Sequence, residues 1–141
     1  MIVLDTNVVS EIAHDRPHEN VAKWIARQDD FELFICIPVV AELAFGANRV
    51  LLRDRSAKFM IALDDLINVG FRNRILPNDV ASARKYGELF AKRQGLGKPI
   101  VPMDAMIGAI CLVHGATLAT RNVRDFEGIG LKLVNPFEES T

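Results

Sequence analysis

The chain has 141 residues, half of them hydrophobic and a quarter charged, which is the mix of a globular protein with enough apolar material for a core of its own. A net charge of −1 excludes bulk electrostatic attraction to nucleic acid, so a nucleic-acid enzyme of this composition must gather its basic residues locally. Two cysteines, Cys36 and Cys111, lie far apart in apolar runs, which excludes a zinc pattern or a disulfide framework and reads as two buried, reduced thiols.

Ile2-Val3-Leu4 is a short apolar run that suits a buried strand. No basic segment precedes it, so it is not read as a signal peptide, and no apolar run approaches the ~18 residues of a membrane span. The expectation is a cytoplasmic protein with no membrane partner. Asp5-Thr6-Asn7 supplies helix-capping residues before Val8-Val9-Ser10-Glu11-Ile12. Residues 14–18 form a Pro-broken loop, and Val21, Trp24 and Ile25 then recur at helical spacing. Residues 32–37 are β-branched and aromatic and predict a second strand. Pro38 can occupy the first turn of a helix running through Glu42 to about residue 50. A further helical pattern covers residues 55–68, with Phe59, Leu63, Leu66 and Ile67 on one face and Gly70 as its C-cap.

Arg74-Ile75-Leu76 predicts a third strand. Asn78-Asp79 caps a helix over residues 80–94 whose expected core stripe is Ala83, Tyr86, Gly87 and Phe90. Pro102-Met103-Asp104 opens a helix to His114 that is small or apolar on every side, the mark of a central element. Residues 116–120 and 131–134 give the last two strands. Strands alternating with helices, without polar alternation inside the strands, predict an α/β fold. Its expected form is a three-layer sandwich, a central mostly parallel sheet of about five short strands with helices on both faces.

In such a sheet, ligands bind beyond the carboxyl ends of the strands. Asp5 follows the first strand, Glu42 lies one turn past Pro38, Asp104 opens a helix, and Asn122 and Asp125 follow the fourth strand. Taken alone, Asp5 or Asp104 reads as a helix cap, worth ~0.3–1 kcal/mol through the helix dipole. Glu42, between Val39-Val40-Ala41 and Leu43-Ala44-Phe45, has no such ready explanation, because an unpaired carboxylate in apolar surroundings is costly. Carboxylates crowded at one rim raise each other's pKa, and a divalent cation with oxygen preference relieves that repulsion. Mg2+ or Mn2+ held there can activate water and stabilise charge on phosphorus.

Ile2-Val3-Leu4-Asp5-Thr6-Asn7-Val8-Val9-Ser10-Glu11 resembles the first motif of PIN domains, in particular the VapC-type toxins of type II toxin–antitoxin systems. Pro38-Val39-Val40-Ala41-Glu42-Leu43-Ala44-Phe45-Gly46 resembles the second motif, and Asp104-Ala105-Met106-Ile107-Gly108-Ala109 the third. Thr120-Arg121-Asn122-Val123-Arg124-Asp125-Phe126, with Asn135-Pro136 beyond, resembles the C-terminal segment. Together the motifs span the chain in order, which implies a single PIN domain over residues 1–141. The resemblance implies a metal-dependent endoribonuclease that hydrolyses RNA phosphodiesters with Mg2+ or Mn2+, the toxin of a toxin–antitoxin pair. Asp5, Glu42 and Asp104 would bind the metal. At the fourth acidic position, where many relatives carry Asp, this chain has Asn122, and Asp125 three residues later is an alternative source of charge. Thr6 and Asn7 would support the ligands from behind, and Glu11, on the first helix, either faces the same pocket or is a solvated helix position. Partners implied are an RNA substrate, a cognate antitoxin that in relatives often inserts an Arg toward the acids, and a second copy in a homodimer.

Phosphate contacts need Arg or Lys near the rim, and Arg121 and Arg124 flank Asn122. Arg84, Lys85, Lys92, Arg93 and Lys98 form a second basic group and Arg49, Arg53, Arg55 and Lys58 a third; both read first as solvated helix faces. His14, His18 and His114 have no metal-ligand spacing and are given no role. Two other functions compete: a PIN-like module that binds RNA or protein with little or no catalysis, favoured by Asn122, and a metal-dependent phosphatase. Val50, Leu51, Leu52, Met60 and Ile61 exceed one core-facing stripe, which predicts an extra apolar face for a partner helix or a second copy.

Overall fold

A computed structural model of the chain describes residues 1–138. Strands β1 (Ile2–Leu4), β2 (Leu33–Cys36), β3 (Ile75–Leu76), β4 (Thr117–Ala119) and β5 (Lys132–Val134) form one sheet in the order β3-β2-β1-β4-β5. Every pairing is parallel, with Ile2 opposite both Leu33 and Thr117. Val3, Leu4, Ile35, Cys36, Leu118 and Ala119 are fully buried, as strands covered on both faces require. Among the described residues six α-helices flank the sheet: α1 (Thr6–Ile12), α2 (Glu19–Ala26), α3 (Ile37–Asp54), α4 (Lys58–Asp65), α5 (Val80–Gly95) and α6 (Pro102–His114). This is the expected α/β sandwich. From β1 the chain builds outward through β2 to β3, then returns to add β4 and β5 on the other side. The strand order therefore reverses between β1 and β4, and the crevice beyond their carboxyl ends is where such sheets bind ligands.

α6 is central, with Ala105, Ile107, Gly108, Ala109, Ile110 and Cys111 all buried. Gly115, at φ +63, ends it in the left-handed conformation that glycine adopts without strain, and Ala116 N–H donates back to the Cys111 carbonyl at 2.9 Å. Because β4 starts at the amino edge of the sheet, α6 must run the opposite way. Its first turn, with Asp104, consequently lies at the carboxyl edge.

Three local expectations are corrected. α3 continues to Asp54 and stops at Arg55, which takes a left-handed φ of 54, so the boundary falls at a strained non-glycine residue that sequence signals do not mark. The helix after it ends in a π-helical turn over Leu66–Gly70, closed by Phe71 N–H on the Leu66 carbonyl at 2.8 Å, so Gly70 lies inside the turn and is not a C-cap. On α5 the buried residues are Ser82 and Leu89, with Tyr86 and Phe90 packed against the core, while Ala83 and Gly87 face outward. Small residues give little guide to helix phase, whereas the Asp79 cap on Ser82 N–H, at 2.9 Å, fixes where the helix starts.

Gly108 sits one turn beyond Asp104. A Cβ there would come within 3.3 Å of Ile129 Cδ1 and 3.7 Å of Leu89 Cδ2 and Phe126 Cδ1. Its lack of a side chain lets α6 approach both α5 and the 3-10 turn Val123–Phe126, which carries Asp125. Gly108→Val is expected to destabilise the fold by about 1–3 kcal/mol through overpacking, measured by urea unfolding, with Gly108→Ala costing distinctly less because only Ile129 must yield.

Candidate active site

Asp5 caps α1 from the end of β1 and is 4 % exposed. A carboxylate taken that far out of water needs hydrogen bonds to remain charged. Its Oδ1 accepts Thr6 N–H at 2.8 Å, and its Oδ2 accepts the Thr120 hydroxyl at 2.7 Å and, more weakly, Asn7 Nδ2 at 3.5 Å. Thr120, fully buried just past β4, is itself oriented: its Oγ1 accepts Asn122 N–H at 3.1 Å, which directs the hydroxyl proton to Asp5. The two strands that meet at the switch point are thus joined through a side-chain bond, beside the main-chain bond of Asp5 N–H to the Ala119 carbonyl at 2.9 Å.

Glu42 lies on α3 and is half-buried; its Oε1 accepts the Thr6 hydroxyl at 2.7 Å. Thr6 therefore serves two acids, one through its N–H and one through its hydroxyl. Asp104 stands in the first turn of α6, half-buried, and accepts no hydrogen bond among the described residues. Burial, followed by the charges of Asp5, Asp125 and Glu42, pushes its carboxyl up to about 6. Burial likewise raises Asp5, with Thr120 and Thr6 pulling the other way and the charge of Asp125 adding to the rise. Asp5, Glu42 and Asp125, from three separate places in the chain, thus all act electrostatically on Asp104.

Among the described residues, no three His, Cys, Asp or Glu side chains converge closely enough to enclose a metal ion with protein atoms alone. Four like charges without a counter-charge favour separation, and Mg2+ commonly takes one or two carboxylates and completes its shell with water. The donor set is all oxygen and suits a hard divalent cation. It offers no sulfur or imidazole that would favour zinc or copper.

The remaining expected site residues divide. Asn7 holds the rim together, its Nδ2 on Asp5 and its Oδ1 accepting Arg121 N–H at 3.3 Å. Asn122 starts the 3-10 turn and is exposed, its side chain making no cap bond. Glu11 is used elsewhere: its Oε1 accepts His18 N–H at 2.8 Å and ties α1 to the start of α2, so it does not stand behind the acids. Arg121 lies with its guanidinium carbon 4.5 Å over the Phe137 ring, and Arg124 is exposed. Two features were missed in the sequence. Thr120 looked like the last residue of a strand. Arg93 looked like part of a solvated face, yet its guanidinium donates to the carbonyls of Lys98, Asp125 and Glu127 at 2.7, 3.3 and 3.2 Å, bracing the turn that carries Asp125. Nothing local marks either role, because both partners are remote in sequence.

Beside the rim, a groove of about 690 Å³ opens between α1, α3 and α4, reaching Thr6, Glu42 and Met103 at its inner end. Phe45 and Phe59 line it and remain 67 % and 46 % exposed. Val50 also lines it, while Leu52 and Ile61 are exposed on the same helices, so the extra apolar face is present. No described helix is long and apolar enough to cross a membrane. Cys36 and Cys111 are buried and unpaired, and burial pushes the Cys36 thiol up to about 12.

Asp104 has a folded-state pKa above its ordinary value of 3.8, so the folded protein binds more protons than the unfolded chain between pH 4 and 6. Without divalent metal, the stability this group contributes is accordingly lost as pH rises from about 4 through 6. Asp104→Asn is expected to flatten that decline and to melt above wild type at pH 7, as read by thermal denaturation in a chelator across pH.

The PIN-domain family model matches residues 2–130. A VapC ribonuclease of Sinorhizobium fredii is 37 % identical over 138 residues, covering 98 % of this chain and 99 % of that protein. Toxin FitB of Neisseria gonorrhoeae is 31 % identical over 99 % of this chain and 100 % of its own length. A solved structure of FitAB bound to a DNA fragment superposes with a TM-score of 0.87 at 30 % identity, over 100 % of this chain and 99 % of that one. With the parallel sheet, its switch point and the acids gathered there, these matches place the chain in the PIN-domain family, among relatives that include VapC-type toxins.

Proposed function

We propose that the protein is a metal-dependent endoribonuclease, the toxin of a toxin–antitoxin pair, and that Asp5, Glu42, Asp104 and Asp125 carry its chemistry with Mg2+ or Mn2+. The observation that supports this most directly is the electrostatic state of Asp104, a half-buried carboxyl raised to about 6 by burial and three neighbouring acids. Such a cluster is unfavourable for folding alone and suits a bound divalent cation.

Asp5, Glu42, Asp104 and Asp125 would hold the cation in this reading, Asp5 kept in place by Thr6 and Thr120. Glu42 is oriented by the Thr6 hydroxyl and Asp125 by the turn that Arg93 braces. When bound, the cation supplies an activated water and neutralises charge on the phosphate. Any of the four carboxylates that did not hold the cation would be free to accept a proton. Asn122, exposed at the rim, offers an amide to water or substrate; Asp125 supplies the fourth charge. Relatives named as VapC ribonuclease and as toxin support the RNA substrate and the toxin role.

The apolar groove beside Thr6 and Glu42 is the proposed seat of a segment of the cognate antitoxin, whose presence there would reach the acids from the side. Pairing of two copies through exposed apolar surface is part of the same proposal. A non-catalytic RNA- or protein-binding role is the second reading, favoured by Asn122 at the fourth position and by the separation of the acids.

Purified protein, freed of any partner, is expected to cut RNA with Mg2+ or Mn2+ and to stop in chelator. Asp5→Ala and Asp104→Asn should each lower the rate by more than ~100-fold, since changes behind the ligands alone often cost 10–100-fold. A wild-type protein that binds RNA and cuts none with either metal would leave the binding role. Asp125→Asn is expected to cost more activity than Asn122→Ala; the opposite order would assign the fourth position to Asn122.

A further inference from the structure

Arg121 follows Thr120 directly and is pinned to the acidic rim by its own N–H on Asn7 Oδ1. Its guanidinium lies 4.5 Å over the Phe137 ring, and it makes no ion pair among the described residues. His18 meets the same ring in an edge-on arrangement, with centroids 5.5 Å apart. Phe137 is held firmly: its N–H donates to Asn135 Oδ1 at 3.0 Å, its carbonyl accepts Asn20 Nδ2 at 2.8 Å, and Pro136 before it is buried. His18 is fixed too, its N–H on Glu11 Oε1 and its Nδ1 accepting Asn20 N–H at 3.2 Å. Arg121 and His18 are exposed and Phe137 is half-buried.

This cluster of flat groups is built from α1, α2, the rim after β4 and the segment after β5, and packing of the core needs none of its exposed faces. The acids it adjoins repel a phosphodiester, and the chain's net charge of −1 supplies no compensating attraction. Affinity for a polynucleotide at this rim must come from contacts that do not depend on bulk charge. Stacking of a base on a guanidinium or aromatic plane is one, and removing such a platform commonly costs roughly ten- to a hundredfold in affinity. A base inside a duplex already has both faces covered, so only an unpaired base can use it.

We propose that Arg121, Phe137 and His18 form a stacking site for an unpaired base of the RNA, next to the phosphate that reaches the acids. The proposal rests on the RNA-directed reading of the rim and assigns these three residues as the platform that holds the base. Arg121 presents its plane to the base and its outer N–H groups to the adjoining phosphate, while Phe137 holds that plane in place from behind.

The test is binding of a short labelled single-stranded RNA, and of the same strand in a duplex, measured by anisotropy with Ca2+ in place of Mg2+ or Mn2+. Wild type is expected to bind the single strand at least tenfold more tightly than the duplex. Arg121→Lys keeps the charge and loses the plane; it should weaken single-strand binding five- to thirtyfold and leave duplex binding within twofold. Phe137→Leu should follow Arg121→Lys, with its melting temperature checked, and the Lys variant decides the matter where the Leu variant does not fold. Equal binding by Arg121→Lys and wild type, equal affinity for strand and duplex, or no binding of the strand would each overturn the stacking site. Cleavage is a separate readout: a protein that shows this binding pattern and cuts no RNA refutes the nuclease reading and leaves the stacking site standing. One that cuts RNA with the KM unchanged in Arg121→Lys does the reverse.

Discussion

The bond between the Thr120 hydroxyl and the Asp5 carboxylate, 2.7 Å long and fully inside the protein, is the constraint on which the rest of the rim depends. It crosses the one place where the sheet's strand order reverses. β1 and β4 are each only three residues long, so their main-chain pairing alone fixes little beyond their ends. A charged hydrogen bond contributes about 1.5–3 kcal/mol when satisfied, and an orphaned buried carboxylate costs more than that. Asp5 therefore holds β4 in place as much as β4 holds Asp5. Everything after β4 that borders the site, from Arg121 to Asp125, takes its position from that junction. Asn122 N–H on Thr120 Oγ1 and Arg121 N–H on Asn7 Oδ1 extend it outward.

The architecture divides the work between two kinds of element. Short parallel strands and the apolar α6 form a core in which, among the described residues, the only buried polar side chains are those that serve the rim and Ser82. The loops beyond the strands carry charge. Gly108 and Arg93 join the two kinds: one by letting α6 close on the 3-10 turn, the other by tying the α5–α6 loop to the carbonyls of the same turn. Arg93 donates only to main-chain oxygens in those contacts, so it braces Asp125 without pairing with its carboxylate. A guanidinium bonded to the carboxylate itself would hold the turn equally well and would remove the charge that acts on Asp5 and Asp104.

Much of this was legible in the sequence, for a reason that applies to Asp5, Glu42 and Asp104 alike. Each lies at or shortly after the end of a strand or the start of a helix, on the side of the sheet where ligands bind, and Glu42 and Asp104 are set in apolar runs where solvation cannot explain them. The strands and the central helix were legible because hydrophobic runs bounded by Pro, Gly and capping residues leave few alternatives. The end of α3 at Arg55 was not, since arginine carries no local signal for the left-handed φ of 54 that it takes there. The face of α5 was misread because Ala83 and Gly87 are small enough to sit inside or outside, and tertiary contact with α6 settles the phase. Glu11 was placed with the acids on helical position alone, while its actual partner, the His18 N–H, lies across a loop whose path no local pattern specifies. Thr120 and Arg93 escaped for the same reason: their partners are 115 and 32 residues away.

The acidic rim also explains why the surrounding structure is so heavily tied. Burial and mutual repulsion raise Asp104 and Asp5, which means the folded state holds charge under conditions it would rather shed. A rim of loops with that load would splay to let the carboxylates separate and hydrate. Here the loops are fastened by hydroxyls from Thr6 and Thr120, by the amide of Asn7 and by the guanidinium of Arg93, none of which carries a charge that cancels an acid directly except at a distance. Neutral donors orient a carboxylate and leave its charge available, whereas a lysine or arginine in contact would satisfy it. The choice of threonine and asparagine against the acids thus leaves the site short of positive charge, which is the condition that the divalent cation proposed for it would meet.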